Sequence, residues 1–356
     1  MRGTARVPAW EGIEMAKRIY SREELIADHD YAKPQVEAGY RLHGGFDSKG
    51  AYISPRTLNR WPAVHAWQQA LKDRGHDVID ASVRLLKRGP YPTAEQQKFL
   101  LNAGDGESLW NGLTITGIVE ARGAMLATVS APNFQNIVVE DLSETCLGHL
   151  NKGLLEAHGW DEGGTKSKGI GGHDDMWFAV RDALFGKNAY PIPPVPDSLA
   201  RPETGRRMPQ IPKEYEDWIL LLMNVLMIEV RAENFFSFCI EVMRDPANFR
   251  DRRAAADHAA ELVSRIRTDE AIHVGYLQTI VSELRSFTIK TVDGKQVPGR
   301  TIIDPVWEQM IEWHAVTNAD FTRVQSRDNV VERLRKHPHG EALVAQFDAL
   351  ELEQAA

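Results

Sequence analysis

The sequence predicts an all-α protein made of two helix hairpins joined by a long crossover, with an N-terminal extension packed on it. Apolar residues recur at helical spacing over four long segments, 107–130, 136–157, 214–244 and 251–288. Only short breaks separate them pairwise, Ala131-Pro132-Asn133-Phe134 in the first pair and Asp245-Pro246-Ala247-Asn248-Phe249 in the second, so each pair must fold back antiparallel. The stretch 159–213 between the pairs is rich in glycine and proline and too long for a simple turn.

In chain order, residues 1–106 form the extension. Glycine and proline punctuate it around His43-Gly44-Gly45-Phe46-Asp47 and Ser54-Pro55, and a helix is expected from Trp61 to about Arg74. The body spans 107–288. Its crossover opens on Gly163, Gly164, Gly169, Gly171 and Gly172, continues as a short helix near Asp174 to Phe185, and ends in the strip Tyr190-Pro191-Ile192-Pro193-Pro194. Residues 289–356 complete the chain. A hairpin from Phe287 to Thr301, turning at Asp293-Gly294, leads into helical sequence containing Trp307, Trp313 and His314.

With 356 residues the chain can bury a sizeable core. Its 42 basic and 50 acidic residues give a net charge of -8 with no basic stripe, which argues against nucleic acid as a partner. Cys146 and Cys239 are too few for a disulfide framework and lie in apolar helical sequence, so a reducing cytoplasm is expected. The first residues, MRGTARVPAWEGIEMAKRIY, lack the apolar core of a signal peptide. The longest apolar run, Trp218 to Ile228, contains Asn224 and falls short of the ~20 residues that span a bilayer, so no membrane is expected as a partner. Two-fold oligomers being common, a homodimer through helix faces is the expected assembly.

Candidate chemistry concentrates in Asp269-Glu270-Ala271-Ile272-His273. Glu and His three apart share one side of a helix and can grip one metal ion together. Leu262, Val263, Ile266, Val274, Leu277 and Ile280 fall on or beside the same stripe, which turns both ionisable groups into the core. Burying them is costly unless a metal or another buried polar group compensates. The preceding helix offers Glu229 and Glu233 on a stripe with Val225, Leu226, Phe236 and Ile240, and Asp269 is placed to orient a ligand histidine on a neighbouring helix. The pairs also echo one another in sequence. Ile118-Val119-Glu120-Ala121-Arg122 resembles Met227-Ile228-Glu229-Val230-Arg231, which matches Glu120 with Glu229, and Gly117, Gly123, Ala124 and Ala127 around Glu120 permit close helix approach.

Glu233 followed by Asp269-Glu270-x-x-His273 resembles the signature of the di-iron carboxylate oxidases and oxygenases, which include the arylamine N-oxygenases and ribonucleotide reductase small subunits. The resemblance covers roughly residues 107–288 and implies a ferritin-like four-helix bundle, in which each half supplies a Glu and a Glu-x-x-His to a metal pair. The second half supplies Glu229 or Glu233 with Glu270 and His273; the first supplies Glu120. The next helix departs from the pattern. Glu144 and His149 are five apart, about 140° on a regular helix, and converge only across a π-bulge. In the alternatives, Cys146 takes the Glu position relative to His149, or His173, Asp174 and Asp175 serve from the crossover. His149 is equally readable as a core histidine bonded to a carbonyl.

The resemblance implies two iron ions, or manganese with iron, activating O2 to oxidise a small organic substrate, with electrons from a donor protein. Substrate would enter past the crossover and the N-terminal extension. A rival reading is a non-catalytic ferritin-like scaffold subunit of a multicomponent oxygenase, which the irregular first half permits. An iron store or peroxide scavenger ranks last, because the chain far exceeds a minimal bundle.

Overall fold

The computed structural model describes residues 17–355. The segment 1–16, which carries most of the reading against a signal peptide, lies outside the described residues. The chain is mostly helical, with three two-stranded antiparallel hairpins among the described residues.

The extension opens with α1 (Arg22–Leu25), whose Ser21 and Glu24 cap each other reciprocally. Two small hairpins follow, β1 (Gln35–Glu37) with β2 (Tyr40–Leu42) and β3 (Gly45–Phe46) with β4 (Tyr52–Ile53). The expected helix is α2 (Thr57–Asp73), which lies against a later helix, α9 (Arg253–Ser286). There Gln68 Nε2 donates to Thr279 Oγ1 at 3.0 Å, and Trp61 rests on Gly275. Two shorter helices, α3 (Ser82–Leu85) and α4 (Ala94–Asn102), complete this part.

In the body, α5 (Glu107–Gly123) runs on as a 3-10 turn, Ala124–Ala127. The expected helix over 136–157 is corrected here. Residues 137–139 are instead drawn into extended pairing beside β5 (Thr288–Lys290), with Val139 N–H donating to Thr288 O at 3.0 Å and Lys290 N–H to Ile137 O at 2.7 Å. The buried Glu283 carboxylate then takes the backbone N–H groups of Cys146 (3.0 Å) and Leu147 (2.8 Å). A regular helix resumes only after a wide turn, Leu150–Leu154, broken by Gly153 at φ +104°, and forms α6 (Leu155–Gly163).

α6 lies directly on the end of α5. A Cβ on Gly159 would meet the backbone N of Ala127, one on Gly163 would meet Ala124 Cβ, and one on Gly123 would occupy the space of the Glu162 side chain. The small residues around Glu120 thus allow the close approach expected of them. A loop then leads to α7 (His173–Phe185), which packs on both α5 and α9. The crossover is therefore corrected to an irregular strip from Gly186 to Pro212 that follows two helices, α6 and α7, already in the interior.

The long helices α8 (Lys213–Arg244) and α9 pack along each other. Leu109 and Leu113 of α5, Trp177 and Val180 of α7, Phe236 of α8, and Leu262 and Ile266 of α9 share one core. The expected hairpin is β5 with β6 (Gln296–Pro298). It leads to α10 (Arg300–Glu312), α11 (Asn318–Arg335) and α12 (Gly340–Ala355), with Val331 and Phe347 meeting Leu100 of α4 in a separate small core. Among the described residues no helix is long and apolar enough to cross a membrane.

Candidate metal centre

Five helices bring seven donors together. Glu120 stands near the end of α5, His158 and Glu162 one turn apart on α6, His173 at the first position of α7, Glu229 midway along α8, and Glu270 and His273 on one face of α9. They form two overlapping groups, His158, Glu162, Glu229 and His273 in one and Glu120, Glu162, His173 and Glu270 in the other. Within each group the ligand atoms all lie within 4.8 Å of one another. Glu162 belongs to both.

The inner geometry is tight. His273 Nδ1 lies 2.7 Å from Glu270 Oε2 and 3.2 Å from Glu162 Oε1. His173 Nδ1 is 2.9 Å from Glu270 Oε1 and 3.4 Å from Glu162 Oε1. His158 Nε2 is 3.1 Å from Glu229 Oε1 and 3.4 Å from Glu162 Oε1. Glu162 Oε1, Glu270 Oε1 and His173 Nδ1 are buried without an aligned hydrogen bond, although they face one another at these distances. Buried polar atoms are rarely left so. A cation between them would meet all three, and the oxygen and imidazole donors suit iron or manganese. The cluster could hold metal ions.

The second ring nitrogens point outward and set the tautomers. Nε2–H of His273 donates to Asp161 Oδ2 at 3.1 Å, that of His173 to Asp269 Oδ2 at 3.3 Å, and Nδ1–H of His158 to the Tyr276 hydroxyl at 2.7 Å. Each ring therefore turns its other nitrogen inward, toward the carboxylates, where an ion displacing any proton held there would meet a lone pair. Asp161 is itself clamped by Arg56 and by Arg60, whose Nη2 lies at 2.7 Å. Asp269 also accepts from His43 Nε2 (3.1 Å) and the Tyr52 hydroxyl (2.9 Å). The support crosses over, since the aspartate beside Glu162 holds the histidine of α9 and the aspartate beside Glu270 holds the histidine of α7.

Protonation follows from this crowding. Burial, then the nearby Glu162 charge, raises the Glu120 carboxyl well above its ordinary range; burial, then Glu270, does the same to Glu229. Glu162 is held well below its range against the opposing effect of burial, by the hydrogen bond from Glu120 and the charge of His173. Burial disfavours charge on His173 and His273, yet the Glu270 carboxylate overrides it and raises both. Burial and the adjacent His273 lower His158. Without metal, protons thus hold together a cluster of carboxylates that would otherwise repel, so metal entry must release them.

Of the residues expected to bind metal, Glu120, Glu229, Glu270 and His273 lie in this cluster, and Glu144, His149 and Glu233 do not. Glu144 is exposed in the loop before the wide turn and pairs with Arg18 at 3.3 Å. His149 is buried, but both ring nitrogens are engaged, accepting from Tyr20 N–H at 3.0 Å and donating to Thr145 O at 2.7 Å. Glu233 stands one turn beyond Glu229, about 6 Å further along α8, and pairs with Arg267 at 2.6 Å. The Cys146 thiol faces Tyr276 O at 3.5 Å, away from the donors. Of the crossover alternatives His173 enters the cluster, whereas Asp174 and Asp175 hold Lys166 at 2.9 and 2.6 Å.

His158 and Glu162 were not foreseen, nor was Asp161 as a support. The signal is present in the chain: Asp161-Glu162 repeats Asp269-Glu270, and Glu162 follows Glu120 by 42 residues where Glu270 follows Glu229 by 41. Comparison with known family models, curated proteins and solved structures gives no match.

Proposed function

We propose that this chain is a ferritin-like di-metal oxidoreductase that activates O2 to oxidise a small organic substrate. The observation that carries the proposal is Glu162, a buried carboxylate common to two adjoining groups of donors, as a bridge between two ions requires. The arrangement of α5, α7, α8 and α9 around one core supports the ferritin-like reading. Two iron ions, or manganese with iron, would supply the O2-activating redox chemistry, with electrons delivered by a donor protein.

The protein's part is to bind, orient and shield. Glu120, His173 and Glu270 would hold one ion, His158, Glu229 and His273 the other, with Glu162 between. Asp161 and Asp269 fix the ring planes of His273 and His173 before any ion arrives, so the donors lose little freedom on binding. Burial of the donors themselves, with His158, Glu162, His173, Glu270 and His273 each at most 4 % exposed, keeps bulk water from the centre. Glu120 and Glu229, the two carboxyls whose burial favours the protonated form, can hold or surrender a proton at their Oε atoms as charge in the centre changes.

A complete first half, with Glu162 and His173 taking the places sought in Glu144 and His149, favours the enzyme over the scaffold reading. Elemental analysis of protein produced in iron- and manganese-supplemented medium tests it. Two ions per chain, followed by an O2-dependent absorbance change on exposing the reduced iron form to air, are expected. A chain that purifies folded and metal-free, and stays so after reconstitution, would overturn the proposal in favour of the scaffold.

A further inference from the structure

The two aspartates that support the imidazoles stand in opposite electrostatic surroundings. Asp161, behind His273, receives two guanidiniums. Arg56 contributes Nη2 and, at 3.1 Å, Nε, and Arg60 contributes Nη2 at 2.7 Å. Arg60 is fully buried and Arg56 is 5 % exposed, so water screens neither well. The N-terminal extension fixes both. Arg56 stands immediately before α2 with its backbone N–H on Asp28 Oδ1 at 3.2 Å, and one turn later Arg60 Nε donates to Arg56 O at 2.7 Å. Asp28, the other acid near Arg56, is exposed and lies 3.9 Å away. Two buried cations thus meet one buried anion.

Asp269, behind His173, meets no such surplus. Its partners are the Tyr52 hydroxyl and the imidazoles of His43 and His173, and among the described residues no lysine or arginine pairs with it. Arg265, one turn earlier on α9, is held by Glu37 at 3.0 Å. The donor groups lean the same way. Apart from the shared Glu162, the group around His173 holds two carboxylates, Glu120 and Glu270, whereas the group of His158 and His273 holds Glu229 alone. Glu270 also turns Oε2 toward His273, which leaves the contrast between the aspartates as the deciding one.

An anion behind a ligand imidazole strengthens it as a donor; a cation there weakens it and repels a bound ion besides. We infer that the two ion positions are unequal: the one formed by Glu120, His173 and Glu270 fills first and holds its ion more tightly, and Arg56 and Arg60 weaken the one formed by His158, Glu229 and His273. This rests on the di-metal reading above and adds to it the order of filling and the residues that set it. Both arginines are positioning residues, acting through Asp161 and His273. A supporting group of this kind shifts metal affinity about 10–100-fold, so the two steps should differ by at least about tenfold.

The test is titration of the full-length chain, stripped by chelator, with manganese(II), read by competition against a chromophoric chelator and by electron paramagnetic resonance. At one ion per chain the wild type is expected to show uncoupled Mn2+, with spin coupling arising only as the second step fills. His173→Ala should remove the tighter step and His158→Ala the weaker. Arg60→Met should tighten the weaker step about tenfold and leave the tighter one within about threefold, whereas Arg60→Lys, which retains the charge, should keep the wild-type gap. An arginine with only a structural role would loosen metal binding when removed, the opposite sign. Two ions bound with equal affinity, a tighter step lost in His158→Ala, or a weaker step that fails to tighten in Arg60→Met would each overturn the inference and leave the two-ion centre standing. If Arg60→Met does not fold, the two histidine variants decide. A chain that takes up no manganese would overturn the di-metal reading and this inference with it.

Discussion

Asp269→Asn isolates one half of the proposed centre. In the wild type the buried carboxylate takes three donors on Oδ2, from Tyr52 at 2.9 Å, His43 at 3.1 Å and His173 at 3.3 Å. Asparagine keeps the shape and, with its carbonyl in the place of Oδ2, the three contacts, but it replaces an anion by a neutral group and puts two N–H groups where Oδ1 has no hydrogen-bond partner. That buried, unanswered amide costs the fold about 1–3 kcal/mol. The larger consequence falls on His173, whose lone pair becomes less basic once the charge behind Nε2–H is gone. Loss of such a supporting carboxylate weakens a metal site by about 10–100-fold, or about 1.4–2.7 kcal/mol. Competition against a chromophoric chelator should therefore show two binding steps in the wild type, of which one weakens by that factor in the variant. The other step, which relies on His158, Glu229 and His273, should hold within about threefold, because Asp161 and its two arginines are undisturbed. Equal weakening of both steps, or of neither, in a variant with wild-type circular dichroism would refute the cross-supported arrangement.

Three further outcomes are expected. Glu162→Gln should bring bound metal from about two ions per chain toward none, since both groups of donors share that carboxylate, while Glu144→Gln and Glu233→Gln leave elemental analysis unchanged. Glu283, pushed up to about 7 by burial, holds its proton more tightly folded than unfolded. Its contribution to stability is thus present below the unfolded carboxyl range and is lost as pH rises through about 7. In denaturant titrations the wild type should fall behind Glu283→Gln by about 2–3 kcal/mol between pH 5 and pH 8, and an unchanged gap would show that the carboxyl titrates normally. Gly159→Val drives a side chain into the Ala127 backbone where α6 meets the end of α5. It should cost about 1–3 kcal/mol in thermal or denaturant unfolding and lower metal content with it, because His158 and Glu162 ride on that helix.

The second half of the body was legible because it obeys one periodicity throughout. α8 and α9 are long and uninterrupted, and the Glu270 to His273 spacing sits on an apolar stripe that fixes which way both side chains face. The first half carries the same components in a form that periodicity conceals. The counterpart of Glu270 is Glu162, but two glycines follow it, α6 ends at Gly163, and the histidine that completes the set waits until position 173 behind a loop. No fixed spacing links Glu162 to His173; only the fold does. Glu144 and His149 follow a segment that looks helical in isolation, and what makes it otherwise is distant in sequence: pairing with β5 and capture of two N–H groups by Glu283. A local reading cannot contain these long-range causes. Beside the echo that matches Glu120 with Glu229, the repeated Asp-Glu dipeptide is a second local trace of the symmetry, and it lies in a stretch that its glycine content marks as crossover.

That symmetry has a consequence for assembly. Asp161 belongs to the first half and fixes His273 of the second, while Asp269 belongs to the second and fixes His173 of the first. Neither half can present correctly aimed imidazoles alone. In the absence of the partner half, Asp161 would face Arg56 and Arg60 only, and the His173 ring would be free to turn. A hairpin folding in isolation therefore gains little from an ion, whereas docking of the two halves aligns every donor in one step. Metal affinity and the packing of α6 and α7 against α9 are then two measures of one event. A substitution that loosens that packing should be visible first as lost metal and only later as lost helix content.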